Sequence, residues 1–228
     1  MVKKFWLLAL FIFMAGVACA QSSDSENSVT HAGKYCLSYT DYLDGKWVDV
    51  NSLTRVTRSQ SAKLWSGGGD YKFEAQDGEQ EKTLKKKAFA ILFNDTLYVN
   101  IGPLRHSGAK FGNGYDQAYK MDGNRLVLLA PYVSRAKSMS IGVAGGLGGA
   151  VGGAIAGSAS ASAGWKNKVC YLISSADTKI QCIDEEVMPG LLASHPALLE
   201  RYNKIDGRKE RRKAEQVMPL LIEAGLLK

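Results

Sequence analysis

The dipeptide Asn94-Asp95 stands between two apolar runs, residues 88–93 and 96–101. Asn and Asp tolerate the left-handed backbone that a two-residue turn demands, so the pattern predicts a tight antiparallel hairpin. The same logic recurs along the chain. Asp122-Gly123-Asn124 separates residues 117–121 from the apolar run 125–133, and Ser175-Ala176-Asp177-Thr178 separates 169–174 from 179–183. Earlier, residues 34–39 and 46–50 flank the turn signal Asp44-Gly45, and Gly67-Gly68-Gly69-Asp70 opens onto the alternating Tyr71, Phe73 and Ala75. Phe111-Gly112-Asn113-Gly114-Tyr115 reads as an irregular link. Short strands with turn signals at close spacing indicate an antiparallel barrel, roll or sandwich.

The last fifth of the chain changes period. Glu185-Glu186 precede Val187 and Pro189, and Leu191, Leu192, Leu198, Leu199 and Tyr202 supply an apolar helical face. A charged stretch holding Arg208, Lys209, Arg211, Arg212 and Lys213 reads as a solvated helix face. Residues 186–192 are echoed by 216–222, each with a Met-Pro pair. Proline is well placed in a helix's first turn, so the echo predicts two similar helix starts. The expected class is α+β, mainly β with C-terminal helices. The expected layout is a β-rich unit over 34–184, a glycine-rich insertion at 138–165, and a helical segment over 185–228.

The first twenty residues read as an export signal. Lys3 and Lys4 precede an uncharged apolar run over 5–17, and Ala18-Cys19-Ala20 offers small residues before Gln21. That is the order of basic, apolar and cleavage regions in a secretory leader. The run is short of the roughly 20 residues a membrane span needs. A lipoprotein signal ending at Cys19 is the alternative, but Gly16-Val17-Ala18 lacks the usual large aliphatic residue. Residues 21–33 read as a flexible start. The expected location is the periplasm or outer membrane of a Gram-negative bacterium, or outside the cell.

Composition narrows the function classes. At 46% hydrophobic and 22% charged over 228 residues, the chain is neither disordered nor too small for a core. Its net charge of +7 is concentrated around 82–87 and 204–213. Mild local basicity suits anionic lipid or polysaccharide, and no recognition motif points to nucleic acid. Four cysteines exclude a disulfide-dense scaffold. A hairpin centred near Ala176 would face Cys170 with Cys182 and permit a disulfide after export; the alternative is that they are small buried residues. His31, His106 and His195 show no spacing that suits cysteine–histidine catalysis or a metal, and no cofactor is implied.

Between Lys137 and Lys166 run 28 uncharged residues. Gly142, Gly145, Gly146, Gly148, Gly149, Gly152, Gly153 and Gly157 recur largely at four-residue intervals. On a helix these positions form faces without side chains, the logic of close backbone packing in membranes. In water each glycine costs a helix about 1 kcal/mol relative to alanine. Three readings stay open: a membrane-inserted or self-associating helix, a helix or helical hairpin packed on the chain's own barrel, and a flexible loop.

Two resemblances follow. The stretch Tyr35-Cys36-Leu37-Ser38-Tyr39-Thr40-Asp41-Tyr42-Leu43-Asp44-Gly45-Lys46, with the hairpin at 88–100 and the link at 111–115, resembles uncharacterised exported proteins of Gram-negative bacteria classed as a domain of unknown function. That resemblance implies a β-rich exported protein and no particular activity. The glycine run resembles the glycine-zipper segments of small outer-membrane proteins. Together they predict a non-catalytic binding or scaffolding module that meets a membrane or itself through its glycine-rich segment. The rivals are an exported hydrolase with that segment as a lid, drawing on Asp41, Asp44 and Asp70, and a small-ligand-binding barrel.

Overall fold

A computed structural model describes residues 28–59, 61–63, 67–134 and 165–228. Its centre is a nine-stranded antiparallel sheet that partly closes on itself, followed by short helices, an α+β architecture. The strands are β1 (Ser28–Cys36), β2 (Val48–Thr57), β3 (Tyr71–Ala75), β4 (Ala90–Phe93), β5 (Thr96–Asn100), β8 (Tyr115–Met121), β9 (Arg125–Pro131), β10 (Lys168–Ile173) and β11 (Gln181–Cys182). A separate small ribbon pairs β6 (Arg105–His106) with β7 (Ala109–Lys110). β1 begins at Ser28, so part of the segment read as a flexible start is strand.

The tight turns hold as expected. Asn94 and Asp95 take φ of 47° and 58°, and β4 pairs with β5 in the register Phe93↔Thr96 to Ala90↔Val99. Met121↔Arg125 closes the β8–β9 hairpin, with Gly123 and Asn124 also at positive φ.

β8 is the strand on which the ring closes. Tyr115 pairs with Asn100 of β5 and with Tyr71 of β3, whereas Ala118 pairs with Leu97 of β5 and with Leu128 of β9. One edge of β8 therefore stays with β5. Its other edge passes from β3 to β9 between Tyr115 and Ala118. From Tyr115 the register runs one way through Tyr71 and Thr57 to the start of β1. The other way it runs through Asn100 and Phe89 to the end of β1 at Cys36, the stagger expected of a small tilted barrel.

Three apolar clusters follow from this branching. Inside the ring lie Tyr35, Val50, Leu53, Phe73, Ile91, Phe93, Tyr98 and Tyr115, with Phe73 meeting Phe93, Tyr98 and Tyr115 edge-on. A second cluster joins Leu97, Val99, Leu126, Leu128, Tyr171 and Cys182. The third sets Met121, Val127, Leu129 and Cys170 against the C-terminal helices. Those helices are α3 (Met188–Leu191), α4 (Pro196–Asn203), α5 (Arg208–Arg211) and α6 (Ala214–Glu223).

The Met-Pro echo divides. Pro189 sits in the first turn of α3 as expected, but Pro219 lies inside α6. Buried Ala214, Val217, Met218, Leu220 and Leu221 hold α6 on the sheet and outweigh the hydrogen bond that proline cannot donate. The basic stretch is also not one solvated face. Arg208 pairs with Glu185, Arg212 lies 4.3 Å over the Tyr132 ring, and Lys213 bridges to Val169.

Two helices were not foreseen. α1 (Tyr39–Leu43) is capped by Ser38, whose hydroxyl accepts from the Asp41 amide. α2 (Gly78–Lys86) is capped by Asp77, with Glu79 and Glu81 in its first turn and Lys85 and Lys86 in its last. That charge order complements the helix dipole. α2 covers one end of the ring: Leu84 is fully buried there, and the Tyr115 hydroxyl donates to the Leu84 carbonyl.

Candidate functional site

Two loops converge where β3 and β8 begin. Gly67-Gly68-Gly69 runs against Gly112-Asn113-Gly114, bridging at Gly67↔Gly112, and the Gly69 amide donates to the Asn113 carbonyl at 3.0 Å. A Cβ on Gly68 would fall 1.8 Å from the Asn113 carbonyl oxygen, and Gly68 has φ +98°. Only glycine fits, because the two backbones touch. Arg58 locks the pair: its guanidinium donates to the carbonyls of Gly69 at 3.0 Å, Asn113 at 2.9 Å and Ala62 at 3.4 Å.

Next to this clasp lies an ionic cluster. Asp116 is fully buried at the point where β8 exchanges β3 for β9, and its Oδ1 accepts the Asp70 amide at 3.0 Å. Where two ladders part, a backbone amide loses its strand partner, and here a side chain supplies one. Lys168, from the first position of β10, reaches Asp70 at 2.6 Å and Asp116 at 3.4 Å; Lys63 reaches Asp70 at 2.9 Å. Burial pushes the Asp116 carboxyl up to about 6 against the pull of Lys168. Burial also works on Asp70, but Lys168 and Lys63 outweigh it and hold that carboxyl below its ordinary value. Lys168 is disfavoured by burial, yet its two carboxylates raise it above the usual lysine range.

A cavity of about 570 Å³ opens beside the clasp, between α2, β3 and the loop before β8. Phe73 and Tyr115 line it along with Arg58, Lys72, Lys85 and Lys86, and Glu74 is the single acidic residue in its lining. The buried Asn100 also faces it, but that amide is occupied: Nδ2 donates to Ala88 and Oδ1 accepts from Gly102. A volume of this size suits a small organic ligand.

Residues 34–228 match a family pattern described as a family of unknown function, DUF6563. The chain belongs to the DUF6563 family. The match takes in the sheet, the site and the C-terminal helices together, well past the stretch on which the sequence resemblance rested. No curated protein and no solved structure matches this DUF6563 chain.

The residues singled out in sequence separate in space. Gly142, Gly145, Gly146, Gly148, Gly149, Gly152, Gly153 and Gly157 lie outside the described residues, as does the export leader. Cys170 and Cys182 are free thiols. The hairpin register sets Cys182 opposite Tyr171, one residue off the expected pairing, so Cys170 falls in the cluster on the other face. In this structure both are small buried core groups, the alternative that the sequence left open. Asp41 and Asp44 serve α1 and its end, Asp44 pairing with Lys46. Asp70 alone enters the site.

Sequence reading missed Arg58, Asp116 and Lys168. Asp116 shares its strand with the polar Gln117 and Lys120, so neither it nor Arg58 and Lys168 had a signal until the strands were paired. Among the described residues no cluster of His, Cys, Asp and Glu is placed to hold a metal, and no helix is long and apolar enough to cross a membrane.

Proposed function

We propose that this chain is an exported, non-catalytic binding module of the cell envelope, using the cavity between α2, β3 and the glycine clasp. The cavity carries the reading. It has small-ligand volume, its walls are fixed by the clasp and by α2, and side chains from three separate elements converge on it. The envelope location rests on the leader pattern. Membrane contact or self-association rests on the four-residue glycine spacing within 142–157.

The hydrolase reading draws its one observation from the ionic cluster, where Asp70 and Asp116 have opposed shifts, a pattern found in acid–base pairs. Two facts weigh against it. Lys168 stands on both carboxylates, and neither carboxylate is among the residues lining the cavity. The cluster is better understood as the mortar of the sheet branch.

Cell fractionation with alkaline-carbonate washing tests the envelope assignment, and intact mass reports cleavage or lipidation. The expected result is a processed chain that sediments with membranes or as an oligomer, and that loses this behaviour when 139–164 are deleted. A soluble monomer indifferent to the deletion rejects the association.

A further inference from the structure

We propose that the cavity recognises an organic anion, a carboxylate, sulfonate or phosphate carried on an apolar body. This rests on the binding reading above and names its ligand class. Lys85 is committed to Glu81 within α2. Lys72 and Lys86, by contrast, have no acidic partner among the described residues, yet both line the same concavity.

A helix end accounts for Lys86, which complements the dipole of α2. It does not account for Lys72, which comes from β3 and pairs across the ladder with Val56. Arg58 adds positive charge from a fixed position, its buried guanidinium being given to the carbonyls of Gly69, Asn113 and Ala62.

The other polar groups are largely spent on the protein. The Asn100 amide is bound at both ends, and the Tyr115 hydroxyl is given to Leu84. The free ammonium groups are donors only, so the complementary ligand group is an acceptor carrying negative charge. The edges of Phe73 and Tyr115, 2% and 4% exposed, floor the cavity and ask for an apolar body behind that group.

The test uses the full chain and two fluorescent probes, anilinonaphthalene sulfonate and the neutral N-phenyl-1-naphthylamine. The expected result is that the sulfonate binds and weakens about tenfold in the K72Q/K86Q double variant. It should weaken with added salt and tighten severalfold in E74Q, while the neutral probe binds all variants alike. The opposite signs of the lysine and glutamate changes localise the probe, and all three side chains are exposed, so the variants fold.

Octyl phosphate displacing the sulfonate supports a free anionic ligand. Lysine-dependent sedimentation with phosphatidylglycerol vesicles, and not with phosphatidylcholine, supports the same acid group on a lipid. Sulfonate binding that ignores both K72Q/K86Q and E74Q overturns the anion assignment, and a neutral probe still bound leaves the binding module standing. Failure of both probes overturns the two readings together.

Discussion

Replacing Lys168 with Met removes the cation from the sheet branch at nearly constant shape. With Nζ 2.6 Å from Asp70 and 3.4 Å from Asp116, an effective dielectric of 20 gives attractions of about 6 and about 5 kcal/mol. Dehydrating a nearly buried ammonium offsets several kcal/mol of this, which leaves an expected loss of about 3–5 kcal/mol for K168M. In a domain of this size that is a fall of roughly 6–20 °C in Tm. The loss should depend on pH. Asp116 sits at about 6 in the fold, above an unfolded value near 3.9. Between those values the folded chain holds a proton that the unfolded chain lacks, so this carboxyl's contribution falls as pH rises through 6. Without Lys168 the fold bears two carboxylates whose remaining cation among the described residues is Lys63 on Asp70. The deficit is then largest at pH 8 and shrinks towards pH 5 as Asp116 takes up its proton. Urea denaturation of wild type, K168M and K168M/D116N at both pH values measures this, and the double variant should recover part of the loss at pH 8. A K168M deficit below about 1 kcal/mol at pH 8, or one equal at both pH values, refutes the reasoning.

Gly68→Ala places a methyl 1.8 Å from the Asn113 carbonyl oxygen and should cost more than about 3 kcal/mol, whereas Gly45→Ala, in open space at φ +68°, should cost about 1 kcal/mol; thermal melts of the two variants separate a backbone clash from simple left-handed strain. Cys36 and Cys182 are pushed up to about 12 and Cys170 well above its usual value, chiefly by burial, so mass mapping after maleimide treatment at pH 8 should find all three unlabelled in the native chain and labelled in denaturant. Arg201→Ala removes a paired but half-exposed contact with Glu223 and should change stability by less than about 1 kcal/mol in urea.

The hairpins were legible because their signals are local. Asn94-Asp95 and Asp122-Gly123-Asn124 each specify a turn within a few residues, and the turn fixes the register of the strands on either side. The failures were of two physical kinds. α2 was overlooked because its stabilisation is electrostatic and terminal, an Asp77 cap with acids first and lysines last, while only Leu84 is buried. The expected facing of Cys170 with Cys182 is off by a single residue of register, and in a strand one residue is a change of face. Pro219 shows the limit of local rules from the other side, since five buried neighbours on α6 override a residue that prefers helix starts.

The site was the least legible part because it belongs to no single element. Arg58 follows β2, Asp70 precedes β3, Asp116 lies in β8 and Lys168 opens β10, so their meeting depends on the ring closing at Tyr115 and reopening by Ala118. That geometry also explains why sheet and helices form one family unit. The face of β8 that looks into the ring at Tyr115 looks onto the C-terminal helices by Met121, together with Val127 and Leu129 of β9. A chain cut before α3 would keep its hairpin signals and lose the cover over that face, including Met188, Leu192, Tyr202 and Met218, all fully buried. The clasp, the ionic cluster and the cavity beside them hang from the same strand. Their geometry is therefore set as much by helices at the far end of the sequence as by the glycines that line them.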